Sequence, residues 1–92
     1  MVPADRPSSL GEKIEEAQQL IARLSGLEKE VLAALVDGHS ARSIATILSL
    51  APSEVERAKG SLMRRLSASR NSDAVRIGIY GGIGRLPWLR RT

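Results

Sequence analysis

Ninety-two residues bound the chain to one domain at most, with a modest core that makes dimerisation a reasonable expectation. With no Cys and a single His, disulfides, thiolate metal sites and His-based zinc sites are excluded. Residues 1–37 hold four basic and seven acidic side chains (−3) and residues 38–92 hold ten and three (+7), so the C-terminal part is the candidate polyanion-binding half.

One Trp, one Tyr and no Phe leave a core of Leu, Ile, Val and Ala, which suits packed helices better than sheets. No apolar run approaches the roughly 18–20 residues that span a bilayer. The opening MVPADRPSS lacks a charged-then-apolar signal pattern, so a soluble cytoplasmic protein without a membrane partner is expected. The lone His39 reads as a polar loop residue.

In chain order, residues 1–9 read as a flexible leader, with Pro3, Pro7, Ser8 and Ser9. The first helix is expected from about Leu10 to Leu24. Its apolar residues Leu10, Ile14, Ala17, Ile21 and Leu24 step by 4, 3, 4 and 3, the seam one helix shows a partner helix or its own core. Ser25-Gly26-Leu27-Glu28 is a capping-box pattern that opens a second helix carrying Leu27, Val31, Leu32, Leu35 and Val36. Gly38 supplies its left-handed stop.

Ser40 caps a short third helix with Ile44, Ala45 and Leu48 facing inward. Ser49-Leu50-Ala51 is a tight turn, and Pro52 suits the first position of a fourth helix because its missing N–H has no partner there anyway. Val55, Ala58, Leu62 and Leu66 form one stripe of that helix, which ends near Ser67. A fifth helix is expected from about Asp73 to Gly81, after the cap formers of Ser69-Arg70-Asn71-Ser72, and a basic tail, residues 84–92, closes the chain.

Two helices joined by a three-residue turn, the second exposing basic residues, is the geometry that lays a helix in a DNA major groove, where base edges are distinguishable. Opposite the apolar stripe of the fourth helix lie Ser53, Arg57, Gly60 and Arg64. Arg57 and Arg64 are candidates for bases or phosphates, Ser53 for a phosphate near the helix start, and Gly60 for close backbone approach. Ser61 flanks this stripe, and Lys59 and Arg65 sit nearer its edges, toward phosphates or solvent. The competing reading is an ordinary solvated helix face.

The segment from Leu24 to Ile83 resembles the helix-turn-helix domain of LuxR-type transcription regulators. The resemblance rests on Leu24, Ser25, Glu28, Glu30, Val31 and Leu32, then Gly38 and Ser40, then Ile44, Ala45 and Leu48. It continues through Val55, Leu62, Met63, Arg65 and Leu66 and ends on Asp73-Ala74-Val75. It implies an all-α fold, a small helical bundle containing a helix-turn-helix over residues 24–83, to which the apolar spacing adds an extra N-terminal helix at 10–23. It also implies a recognition helix at about 52–66, double-stranded DNA as partner, and a homodimer through the last helix, 73–82.

The departures fall where DNA is read. Glu54 stands for the family's usual Thr, Glu56 for its Lys, Ala58 for its His, and Lys59 for Arg. Ala51 replaces the usual capping Ser, at a cost of about 1 kcal/mol offset in part by Pro52. Carboxylates repel phosphates, although a Glu can accept from cytosine N4.

The last helix carries Val75, Gly78, Ile79 and Gly82 along one face. Glycines there weaken a helix by about 1 kcal/mol each, which makes sense where a second backbone packs closely. These four are the candidate dimer interface, with simple helix ending at Gly81-Gly82 as the other reading. In the tail, Arg85, Arg90 and Arg91 surround Pro87-Trp88-Leu89, either as a basic arm or as a segment folded onto the domain.

LuxR-type regulators usually carry an upstream sensing domain, so the chain is expected to be either an output domain or a stand-alone protein. No enzyme is expected, since His/Asp/Ser and Cys/His groupings are lacking and Gly81-Gly82-Ile83-Gly84 follows a helix rather than a strand. No cofactor is implied. Two functions compete. One is a dimeric DNA-binding transcription regulator. The other is an interaction protein that keeps the fold, has lost base readout through Glu54 and Glu56, and pairs with a full-length regulator or RNA polymerase.

Overall fold

Apolar spacing and capping chemistry divide the described residues into five helices. In the computed structural model, which describes residues 10–83, these are α1 (Leu10–Ala22), α2 (Gly26–Val36), α3 (Ala41–Leu48), α4 (Pro52–Leu66) and α5 (Asn71–Tyr80). No strand occurs among the described residues. The fold is the expected all-α bundle. The expectations for the leader 1–9 and the tail 84–92 lie outside the described residues.

Local chemistry sets each helix start. At α2 the capping box is complete: the Glu28 amide donates to Ser25 Oγ at 3.1 Å, and the Ser25 amide donates to Glu28 Oε1 at 2.9 Å. At α3 the Ser43 amide donates to Ser40 Oγ at 3.2 Å. At α4 Ala51 offers no side-chain cap, but the other half of the box survives, because Glu54 Oε1 accepts from the Ala51 amide at 2.9 Å. The α5 start falls two residues before the expected Asp73. Asp73 itself organises it, accepting from the Ser69 and Arg70 amides at 3.3 and 3.2 Å. These bonds, the Arg70 amide foremost, hold its carboxyl below the usual aspartate range.

Four helix ends share one device, the Schellman motif, in which a left-handed residue lets two amides turn back onto the last carbonyls. After α2 the Gly38 and His39 amides bond Leu35 O and Ala34 O, and after α5 the Gly82 and Ile83 amides bond Ile79 O and Gly78 O. After α3 and α4 the same bonds run from Ser49 and Leu50 to Thr46 O and Ala45 O, and from Ser67 and Ala68 to Arg64 O and Met63 O. Ser49 and Ser67 hold the left-handed position at φ 57° and 58°, where a Cβ is strained.

The core centres on α2, whose residues Val31 to Leu35 are all buried. Around it, Ile44 of α3, Val55, Leu62 and Leu66 of α4 and Ala74 of α5 close one continuous apolar cluster. Ala17, Ile21 and Leu24 are buried too, so the C-terminal part of the α1 seam serves the chain's own core, while Leu10 at its start is 60% exposed. Helix α1 lies along α5, with Lys13 Nζ 5.9 Å from the centre of the Tyr80 ring.

Candidate nucleic-acid interface

Helix α3, the turn at residues 49–51 and α4 form the helix-turn-helix. The turn owes its tightness to left-handed Ser49 and to half-buried Leu50, which packs against the core. Pro52 begins α4. The inner stripe of α4, Val55, Ala58, Leu62 and Leu66, is buried throughout, which fixes the helix's rotation and turns the opposite face outward.

On that outer face Ser53, Arg57 and Arg64 are exposed and Gly60 is half-buried. Among the described residues a Cβ at Gly60 would meet only Arg64 Nη1 at 3.8 Å, so none of them demands glycine there. Lys59 is half-buried at the edge of the stripe. The structure therefore brings Ser53, Arg57, Gly60 and Arg64 onto one surface, with basic Arg64 and Arg65 in the last turn, where the helix dipole favours cations.

Ser61 and Arg65 also bind within the chain. The Ser61 hydroxyl donates to Glu28 Oε2, so it faces α2 and its proton is committed within the chain. Arg65 Nε lies 3.3 Å from both oxygens of the same carboxylate, while the arginine side chain stays 52% exposed and that of Glu28 only 8%. Glu28 is thus the buried charge among the described residues, held by the Ser25 amide, the Ser61 hydroxyl and the Arg65 guanidinium. The Ser61 bond foremost, then the Ser25 amide and Arg65, hold its carboxyl below the usual glutamate range against the opposing effect of burial.

This carboxylate pins the start of α2 to the middle of α4. It borders a groove lined by Ser25, Leu27, Glu28, Glu54, Arg57 and Ser61. Sequence reasoning found the Glu28 capping role and missed its grip on α4.

The two carboxylates that depart from the family pattern separate in the structure. Glu54 is turned back onto the Ala51 amide, whereas Glu56 is exposed and makes no hydrogen bond or ion pair among the described residues.

On α5, Val75 is half-buried, Ile79 is 60% exposed, and both border a shallow groove with Asn71, Ser72, Arg76 and Tyr80. Of the two glycines in the candidate dimer interface, Gly78 faces its own chain and Gly82 ends the helix. Gly78 is buried against α2 of its own chain: a Cβ there would stand 2.5 Å from Val36 Cγ2 and 3.5 Å from Leu32 Cδ1. The close-packed neighbour is therefore internal. Gly82, at φ 80°, is the left-handed residue that ends the helix, with no described residue near the place of a Cβ.

A buried helix pair with a tight turn and a cationic outer face on its second member defines the helix-turn-helix class of DNA-binding domain. The family of bacterial regulatory proteins called the luxR family (GerE) matches residues 22–77, more than half of the sequence, and the chain belongs to it. No curated protein matches the chain. Among the described residues no helix is long and apolar enough to cross a membrane.

Proposed function

We propose that this DNA-binding regulator of the LuxR family reads duplex sequence by laying α4 in the major groove, as a homodimer, in the cytoplasm. The observation that carries the reading is the exposed Arg57/Arg64 face, turned outward by four buried residues on the other side of the same helix. A major groove admits one α-helix, and paired Arg nitrogens match guanine O6 and N7 or a phosphate. Gly60, with no packing demand of its own, lets backbone approach the duplex between those two arginines. Arg65, braced through Nε by Glu28 and half exposed, and Lys59 serve the phosphates beside the groove.

The pairing surface in this proposal is the outer face of α5 at Val75 and Ile79, where an exposed isoleucine adjoins a mostly apolar groove. Two copies related by a two-fold axis would present two α4 helices to half-sites about one DNA turn apart.

The test is binding of the full chain to random-sequence duplex at low salt, beside an Arg57→Ala/Arg64→Ala double variant. Loss of about two phosphate-equivalents of salt slope, or of nearly all binding, is expected in the variant. A folded wild type that binds no duplex at any salt overturns the reading. It would favour an interaction protein that meets another regulator or RNA polymerase through the same α5 face.

A further inference from the structure

We infer that Glu56 is a base-reading residue, and that with its neighbour Arg57 it selects a G·C pair. The inference rests on the DNA-binding reading above. Its starting point is the different fate of the two carboxylates in the first turns of α4. Glu54 is held at the helix start, with Oε1 accepting from the Ala51 amide, and belongs to the cap. Glu56 is exposed, with no partner among the described residues.

Its position on the helix is defined. At about 100° per residue, Glu56 lies roughly 70° from the centre line of the stripe formed by Ser53, Arg57, Gly60 and Arg64. It stands on the flank away from Ser61 and Arg65, which turn toward α2. It also lies in the N-terminal half of α4, the half that meets base edges when such a helix enters a groove.

A carboxylate in that place has few acceptable neighbours. It only accepts hydrogen bonds, and phosphate oxygens only accept, so contact with the backbone is repulsive. The floor of the major groove does carry donors, cytosine N4 and adenine N6. Arg57 narrows the choice, because a guanidinium donates to the guanine O6 and N7 acceptors. A G·C pair presents those two acceptors and the cytosine N4 donor side by side, matching an adjacent Arg and Glu. An A·T pair offers a donor between two acceptors and no paired acceptors for the arginine.

The experiment is selection of binding sites from a randomised duplex library by the full wild-type chain and by Glu56→Ala and Glu56→Gln, followed by titrations on the enriched sites. Both substitutions are at an exposed position, and unchanged thermal melting verifies folding. Wild type is expected to enrich cytosine at one position per half-site, with about tenfold discrimination over the other bases. Glu56→Ala abolishes that preference while leaving the others. Glu56→Gln moves it toward adenine, whose N6 and N7 suit an amide.

If Glu56→Ala binds more tightly with an unchanged set of preferred bases, Glu56 only repels phosphate and the inference falls, while the DNA-binding reading stands. If wild type binds duplex without base preference, the inference falls likewise. If folded wild type binds no duplex, the DNA-binding reading falls first and this inference with it.

Discussion

Glu28→Ala removes one side chain and strands three donors. The Ser25 amide loses its half of the capping box, worth about 1 kcal/mol. The half-buried Ser61 hydroxyl loses a charged acceptor, for about 1–2 kcal/mol more. Arg65 is half exposed and recovers water, so its pairing adds roughly 0–1 kcal/mol. The expected loss is about 2–4 kcal/mol, which in a domain of this size lowers Tm by roughly 10–30 °C. Glu28→Gln keeps one acceptor oxygen for the Ser25 amide, loses the charge and the acceptor facing Arg65, and leaves the Ser61 hydroxyl to turn and accept from the new NH2, so it should cost less than Glu28→Ala, about 1–2 kcal/mol.

Acid supplies an independent check. The folded carboxyl sits below its unfolded value, so its stabilisation is present above the ordinary glutamate range and is lost as pH falls through the folded value. The stability gap between wild type and Glu28→Gln should therefore narrow steadily from neutral pH into the acid range. Thermal and urea unfolding across that range measure it. A Glu28→Ala variant melting within about 2 °C of wild type, or a gap to Glu28→Gln that is constant into acid, would refute the assignment of Glu28 as the clamp between α2 and α4.

Glycine substitutions in two helices should move in opposite directions. Gly60→Ala has open space, so it should stabilise by about 1 kcal/mol in thermal unfolding, yet weaken duplex binding if DNA backbone approaches there. Gly78→Ala meets Val36 Cγ2 and should destabilise by about 1–3 kcal/mol despite better helix propensity. Ser49→Gly and Ser67→Gly relieve left-handed strain and should each raise stability by about 0.5–1 kcal/mol in urea titrations, with no change in far-ultraviolet circular dichroism. Ile79→Asp should convert a dimer to a monomer in sedimentation equilibrium while leaving the melting of the monomer unchanged; an unaltered dimer mass would remove α5 as the pairing surface.

Apolar spacing and local caps made the five helices legible, because both act over three or four residues. Ser25, Glu28, Gly38 and Ser40 do what their neighbours in sequence imply. The Glu28 grip on Ser61 and Arg65 was not legible, because it joins residues 33 and 37 positions apart and no periodicity carries that information. Gly78 shows the same limit. A helix glycine signals that something comes close, but whether that is a second chain or Val36 of the same chain is a question of tertiary packing. At Ala51 the missing hydroxyl suggested an uncapped helix, whereas Glu54 three residues on closes the remaining half of the box. The left-handed serines were equally hidden, since serine gives no warning of positive φ as glycine does.

The tight seating of Gly78 against Val36 leaves α5 little room to slide or roll over α2, and Glu28 fastens α2 to α4 in turn. The outer edge of α5 and the reading edge of α4 are thus two marks on one rigid ruler. A pair of chains joined along Ile79 inherits that ruler twice. In the proposed dimer these contacts oppose movement of α5 relative to α4 within each chain, and so oppose following an operator whose halves are moved apart. One inserted base pair shifts a half-site by about 3.4 Å and turns it by roughly 35°. If the proposed dimer binds as proposed, bending of the DNA supplies part of the tolerance for spacing, and the stiffness of the uncontacted centre becomes part of what is recognised.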